Sequence, residues 1–314
     1  MLAFEPPSMT RILGEAAPGV RGTIGGVIAA NLSGPRRLTA GAARDYLLGF
    51  EAVSGRGETF KSGGKVMKNV TGYDLSKLMC GSFGTLGVMD EITLKTLPAP
   101  ETERSLLVGH DSLADAVSGI ASIFATAHEP GAAAILPRNI AAAEGVDLAR
   151  PFTAMIRMEG IETSVVDRLG HLLALSGGEP LEADRSRALW CRIRDVQPLA
   201  ETPHDIWKVS CAPSDAPRVV AALDPGLDVR MIADWAGGLI WLAGKSPRIG
   251  PTLRSAVASL GSGFAMLIRD VGVTRENIEP LQPLSGPVLE LHRRIKASFD
   301  PLGVLNYERM HDGV

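Results

Sequence analysis

Between residues 63 and 95 the chain reads GGKVMKNVTGYDLSKLMCGSFGTLGVMDEITLK, with glycines at 63, 64, 72, 81, 84 and 87. Six glycines set among short apolar runs leave much bare backbone and little room for long side chains. The density recurs upstream, in GTIGGVIAANLSG at 22–34. A helix starting near Thr23 would turn its positive end toward a ligand there. Gly25, Gly26, Ala29 and Ala30 would let that helix lie almost against whatever it faces. Bare backbone of this kind suits a flat polyanionic ligand whose phosphates meet N–H groups, and it equally suits close helix–sheet packing.

A length of 314 residues is long for one core and comfortable for two domains. A formal net charge of -3 gives no electrostatic reason to expect nucleic acid or an acidic membrane surface as partner. Three cysteines, Cys80, Cys191 and Cys211, share no CxxC spacing, which fits free thiols in a reducing compartment. The six histidines are scattered, so no metal site is expected. Nothing near Met1 reads as a signal peptide. The longest apolar runs, such as GGLIWLAG at 237–244, are too short for a bilayer. The GxGxxG dinucleotide fingerprint, the GxxxxGK[ST] phosphate loop and the GxSxG elbow are all missing.

In VMDEITLK, alternation predicts a strand with Val88, Asp90, Ile92 and Leu94 on one face. TLPAPETE at 96–103 is a Pro-rich polar break. Beyond it RSLLVG, AAAIL and FTAMIRME read as strands, with helices through LADAVSGIASIFATA (N-cap at Asp111 or Ser112) and TSVVDRLGHLLALS. From 205 onward the order is strand DIWKVSC, helix DAPRVVAAL, strands DVRMIAD and GLIWLAG, helix PTLRSAVASL, strand GFAMLI. That βαββαβ order predicts a ferredoxin-like unit, and the preceding set is close enough to suggest two related halves. GPVLELHRRIKAS at 286–298 predicts a closing helix with Leu289, His292 and Ile295 at helical spacing.

The order and spacing of TIGGVIAANLSGPRRLTAGAARDYLLGFEAVSGRGE and GGKVMKNVTGYDLSKLMCGSFGTLGVMDEITLKTLP resemble the FAD-binding domain of vanillyl-alcohol-oxidase-type flavin-linked oxidases. SGPRR, ARDYLLG and KVMKNVTGYDLSKL most resemble the FAD-binding subunits of bacterial glycolate oxidases, and the likeness covers residues 2–98 best. The resemblance implies an α+β fold: a partial FAD-binding domain of the PCMH type over 1–98, a ferredoxin-like α+β cap over 99–285, and a C-terminal helix and tail over 286–314 returning to the first part. It implies FAD as cofactor, with Thr23, Ile24, Gly25, Gly26, Asn31, Ser33 and Gly34 near flavin and pyrophosphate. Gly81, Ser82, Gly84, Thr85, Gly87 and Val88 would follow the ADP half. Asp45 and Asp74 would brace these loops. Two departures stand out: the family's first subdomain should precede LAFEPP, and NYER at 306–309 stands where relatives tend to read NPGR.

Arg36 and Arg37 can bind a carboxylate or a phosphate, or form a solvated turn. Lys65 and Lys68 can meet phosphate; Asn69 and Tyr73 suit loop anchors. Cys80 reads as a small buried hydrophobe, His292 as a structural histidine, and Trp190, Trp207, Trp235 and Trp241 as core or interface. No residue reads as a catalytic base. The resemblance implies a cytoplasmic subunit, peripheral at the membrane's inner face at most. Within a multi-subunit glycolate dehydrogenase it would oxidise glycolate or a related 2-hydroxy acid to the 2-oxo acid. Hydride would go to the flavin, and electrons onward to iron–sulfur clusters of a partner; a second flavoprotein subunit completes the assembly. The rivals are a cofactor-free scaffold in the same assembly, or a stand-alone FAD oxidase of D-lactate or a sugar lactone.

Overall fold

The computed structural model describes residues 1–13, 22–65, 72–261, 263–272 and 278–314. The glycine-rich third contributes helices α1 (Ile24–Ala29) and α2 (Arg37–Ala40), strands β1 (Leu47–Val53) and β2 (Thr59–Gly63), helix α3 (Leu75–Met79) and strand β3 (Val88–Leu94). Its three strands pair antiparallel in the order β2-β1-β3. Phe4, Ile28, Ala43 and Tyr46 form one apolar cluster here, and Phe50, Ala52, Met79 and Leu86 form another. The alternation expected for β3 is corrected by a bulge: Glu51 pairs Glu91 but Ala52 pairs Met89, so Asp90 is skipped. Met89 therefore joins Ile92 and Leu94 against the core, and Val88 is left exposed.

The remaining strands form one eight-stranded antiparallel sheet. Its first unit runs β4 (Thr102–His110), α4 (Leu113–Phe124), β5 (Ala132–Pro137), α5 (Arg138–Ala143), β6 (Phe152–Gly160), α6 (Glu162–Ser176) and β7 (Glu179–Leu181). Helices α7 (Ala183–Arg194) and α8 (Gln197–Ala200) follow. The second unit is β8 (Asp205–Ser210), α9 (Ala216–Ala221), β9 (Val229–Asp234), β10 (Leu239–Gly244), α10 (Ile249–Ser259) and β11 (Phe264–Arg269). The spatial order is β11-β8-β10-β9-β5-β6-β4-β7. Each unit thus orders its own strands as second, third, first, fourth, the ferredoxin-like arrangement, and the two join back to back where Ile135 of β5 meets Ala233 of β9.

Burial on both faces explains the apolar strands. Leu113, Ala116, Val117, Ile120 and Ile123 put an i, i+3, i+4 stripe of α4 on one face, beside apolar residues of α6, α9 and α10. Helices α5, α7 and α8 cover the other face of the first unit. On that face of the second unit α8 reaches β10, and the row Lys208, Trp241 and Met266 looks toward the glycine-rich third.

The two sheets are tied by charge as well as packing. Arg157 on β6 is fully enclosed, donates to Glu5 at 2.8 and 3.1 Å, and stacks 4.7 Å over Trp190. Arg36 donates to Glu159 at 2.9 and 3.0 Å. Gly34 passes so close to the N-terminal segment that a Cβ there would sit 2.1 Å from the Glu5 carbonyl oxygen. Its own carbonyl accepts the Trp235 indole N–H at 2.9 Å.

Helix α11 (Gly286–Phe299) then packs on the small sheet, with Phe299 and Phe60 rings 5.6 Å apart. At its end Lys296 is buried and donates to the Asp300 carboxylate and to the Thr85 and Leu305 carbonyls at 2.6–2.8 Å.

Candidate flavin and substrate cavity

The glycine segments and the face of the second unit that carries Lys208, Trp241 and Met266 line an open cavity of about 1410 Å³. Ordinary small-molecule sites run to roughly 300–1,000 Å³, so this one has room for a dinucleotide-sized ligand. Thr23, Gly25 and Gly26 line it from the start of α1, Gly84 and Gly87 from the turn before β3, and Val88 from the start of β3. Thr23 takes extended backbone as N-cap, and its hydroxyl accepts the Gly26 N–H at 3.0 Å, which fixes the first turn of α1. Gly84 has φ +73, and a Cβ there would lie 2.8 Å from the Asn306 amide nitrogen. The turn therefore requires glycine, and its bare backbone reaches the cavity.

The other expected cofactor residues stand behind this wall. Asn31 accepts the Arg44 N–H at 3.2 Å, and Ser33 accepts that of Ala43 at 3.0 Å. Gly34 belongs to the tie with Glu5 and Trp235. Gly81 donates to the Ile28 carbonyl at 3.1 Å. The Ser82 and Thr85 hydroxyls cap local turns, donating at 2.8 Å to Met79 and Ser82 carbonyls. Ile24 is exposed. Asp45 and Asp74 brace their loops, accepting from the N–H groups of Ala42 at 2.9 Å and Lys77 at 3.3 Å.

The arginine pair divides. Arg36 is held by Glu159, with Glu5 at 3.6 Å and Glu103 at 3.8 Å, and is part of the tie. Arg37 instead stacks 4.5 Å over the Trp235 ring. Lys65 is exposed, Tyr73 is 92% exposed, and Lys68 and Asn69 lie outside the described residues. Cys80 is buried, and burial pushes its thiol up to about 12, an unreactive state. The His292 ring stands 5.9 Å from that of His311. Trp190 and Trp207 are core residues.

The wall opposite the glycines joins Trp241, read from the sequence as core or interface, to Lys208 and Met266, which sequence reasoning did not single out. Lys208 on β8 pairs across the sheet with Trp241 on β10 and with Met266 on β11. Cross-strand partners share a face, and all three line the cavity. The Lys208 ammonium lies 5.7 Å from the Trp241 ring centroid and 5.9 Å from that of Trp235. Lys208 is half-buried, and among the described residues no hydrogen bond or ion pair joins it. Burial, with the nearby Arg37 charge, brings its amine down to about 8. Val304, Leu305, Asn306, Glu308 and Arg309 close a third side. No histidine lines the cavity among the described residues.

Residues 9–63 match the model of an FAD binding domain. The glycolate oxidase subunit GlcE of Escherichia coli is 35% identical over 312 residues, which is 99% of this chain and 75% of GlcE. The glycolate oxidase subunit GlcD of Bacillus subtilis is 43% identical over 103 residues, 33% of this chain and 22% of that protein. An alkyldihydroxyacetonephosphate synthase structure shares the fold with a TM-score of 0.59 at 18% identity, covering 94% of this chain and 60% of the synthase chain. The chain thus spans three quarters of GlcE and less than two thirds of the synthase. No described helix is long and apolar enough to cross a membrane.

Proposed function

The chain belongs to the FAD-linked oxidoreductase family of the glycolate oxidase subunits, and from that premise we propose that it is the FAD-binding subunit of a multi-subunit 2-hydroxy acid dehydrogenase. The observation that carries the reading is the cavity itself, with a glycine-backed wall on one side and an aromatic wall bearing a cation on the other. The glycine wall fits FAD: Gly25 and Gly26 offer no side chain, and the Gly84 turn has no space for one.

The same reading assigns residues 1–98 to a partial FAD domain, 99–285 to the cap, and 286–314 to a helix and tail returning to the first part. Bound FAD would supply the two-electron acceptor for oxidation of glycolate or a related 2-hydroxy acid to the 2-oxo acid. The chain's own residues would position and enclose. Thr23 and the α1 glycines would take the cofactor's polar edge, and Trp241 and Met266 would exclude water above it. Partners would be a second flavoprotein subunit, as the likeness to GlcD suggests, and an iron–sulfur subunit that takes the electrons onward, with the assembly in the cytoplasm.

The test is a visible absorption spectrum of the purified protein before and after incubation with FAD and desalting, alone and with its partner subunits. A flavin band retained by the protein alone, or by the assembly in excess of the flavin that the partner subunits hold by themselves, is the expected result. No flavin in the protein alone and none in excess in the assembly would overturn the reading and leave a cofactor-free scaffold.

A further inference from the structure

The large sheet treats its buried cations in two ways. Arg157 is matched by Glu5 and Glu159, with Arg36 alongside, and no part of it is exposed. Lys208, two strands beyond the junction of the units, has no carboxylate and no acceptor among the described residues. It stands in the sheet row Trp241–Lys208–Met266, whose other members are apolar and line the same cavity. Two indoles hold the ammonium within cation–π range, and neither can neutralise it. A half-buried cation without a counter-charge is costly, and the cost is recovered when an anion binds.

We propose that Lys208 is the carboxylate-binding cation of this cavity, its ammonium donating to the carboxylate of a small 2-hydroxy acid framed by Trp241 and Met266. The assignment rests on the reading of the cavity given above. A rigid position on a central strand, between bulky neighbours on both adjoining strands, suits a small anion held at one point. The flavin pyrophosphate would supply the same chemistry from a second source, so the experiment separates the two.

Glycolate and, separately, inorganic pyrophosphate are titrated into the protein assembled with its partner subunits. Tryptophan emission is the readout, since Trp235 and Trp241 adjoin the ammonium. The titrations are repeated with Lys208→Met and Lys208→Arg, and flavin content and thermal melting are recorded for each. A charge-assisted hydrogen bond corresponds to roughly 10- to 100-fold in affinity. We expect Lys208→Met to weaken glycolate binding by about that factor, Lys208→Arg to recover most of it, and flavin content to stay unchanged in both. Wild-type glycolate affinity in a folded Lys208→Met protein overturns the assignment. So does lost flavin or a lost pyrophosphate response with glycolate binding intact, because Lys208 would then serve the cofactor. If the wild type holds no flavin but glycolate binding still depends on Lys208, the redox reading falls and this assignment stands.

Discussion

Asp234 shows at the scale of one residue how burial becomes a pH dependence. It ends β9 fully enclosed, and one carboxylate oxygen accepts the Trp235 N–H at 2.7 Å. Burial pushes its carboxyl up to about 7; the Glu5 charge adds to this, while the Trp235 N–H and Arg157 oppose it. The folded state therefore keeps a proton that the unfolded chain loses near its ordinary value of 3.8. Stability falls as pH rises from about 4 to 7 and is level beyond. Asp234→Asn keeps the acceptor and removes the charge. Its melting temperature should exceed wild type at pH 8, by roughly 2–4 °C for each kcal/mol recovered, and match it near pH 4. Equal shifts at both pH values would refute the account.

Lys208 has the opposite sign of charge. Its ammonium loses its proton above about 8, so anion affinity should be constant below that pH and fall through it. Arg37 at the Trp235 ring is the nearby charge, and Asp270, Glu279, Glu308 and Arg309 line the same cavity without an ion pair to Lys208. Glycolate titrations at pH 6.5 and 9.5 would show the fall, and they should show none in Lys208→Arg.

Among the elements, the tail after α11 carries conformational tension. Asn306 and Glu308 have φ of +42 and +58. The resemblance to the glycolate oxidase subunits implies Pro-Gly where this chain has Tyr307-Glu308, and a left-handed φ at 308 suits a glycine there. Glu308→Gly should stabilise by about 1 kcal/mol, visible in a denaturant midpoint with unchanged slope. The buried Lys296–Asp300 pair acts in the opposite direction by holding this tail. Lys296→Met would leave the Asp300 carboxylate enclosed without its cation and should cost roughly 3–5 kcal/mol.

These elements also mark how far the sequence could be read. The strand–helix cadence was legible because β8 to β11 are short apolar runs and α4, α6, α9 and α10 carry helical periodicity, with Ser112 as side-chain N-cap of α4. The α1 start at Thr23 was legible for the same reason. The bulge at Asp90 was not, since it arises from pairing with β1 rather than from local alternation. Helix α7 also escaped notice, because its buried Leu189, Trp190 and Ile193 are interleaved with four arginines. Lys208 was invisible for a deeper reason. Its meaning comes from Trp241 and Met266, brought beside it only by sheet order.

For the whole molecule, the question is what holds the small sheet to the large one so that the cavity keeps its shape. Glu5 near the N-terminus reaches across to Arg157 in the middle of the large sheet, and Arg36 reaches Glu159 beside it. Burial alone would raise the Glu5 carboxyl, yet Arg157, Arg36 and Arg194 outweigh it and hold Glu5 below its usual range. Glu103 goes the other way: burial and the Glu159 and Glu5 charges outweigh Arg157 and Arg36 and raise it, and one of its oxygens is enclosed without a partner.

Three carboxylates thus share Arg157 and Arg36, with Arg194 acting on Glu5 as well, and removing Arg157 should expose their mutual repulsion. Arg157→Met should destabilise by roughly 3–5 kcal/mol, and by more at pH 8 than at acid pH, where protonation of Glu103, whose carboxyl burial already raises, relieves the repulsion. Glu5→Gln alone should cost less, since Arg157 keeps Glu159 at 3.5 Å. In a double-mutant cycle the two changes should fall short of additivity by roughly 0.5–3 kcal/mol, because Glu5 without Arg157 is a liability that its own removal cures. Additive losses, independent of pH, would mean that apolar packing alone joins the sheets and that the charge network merely sits in the interface.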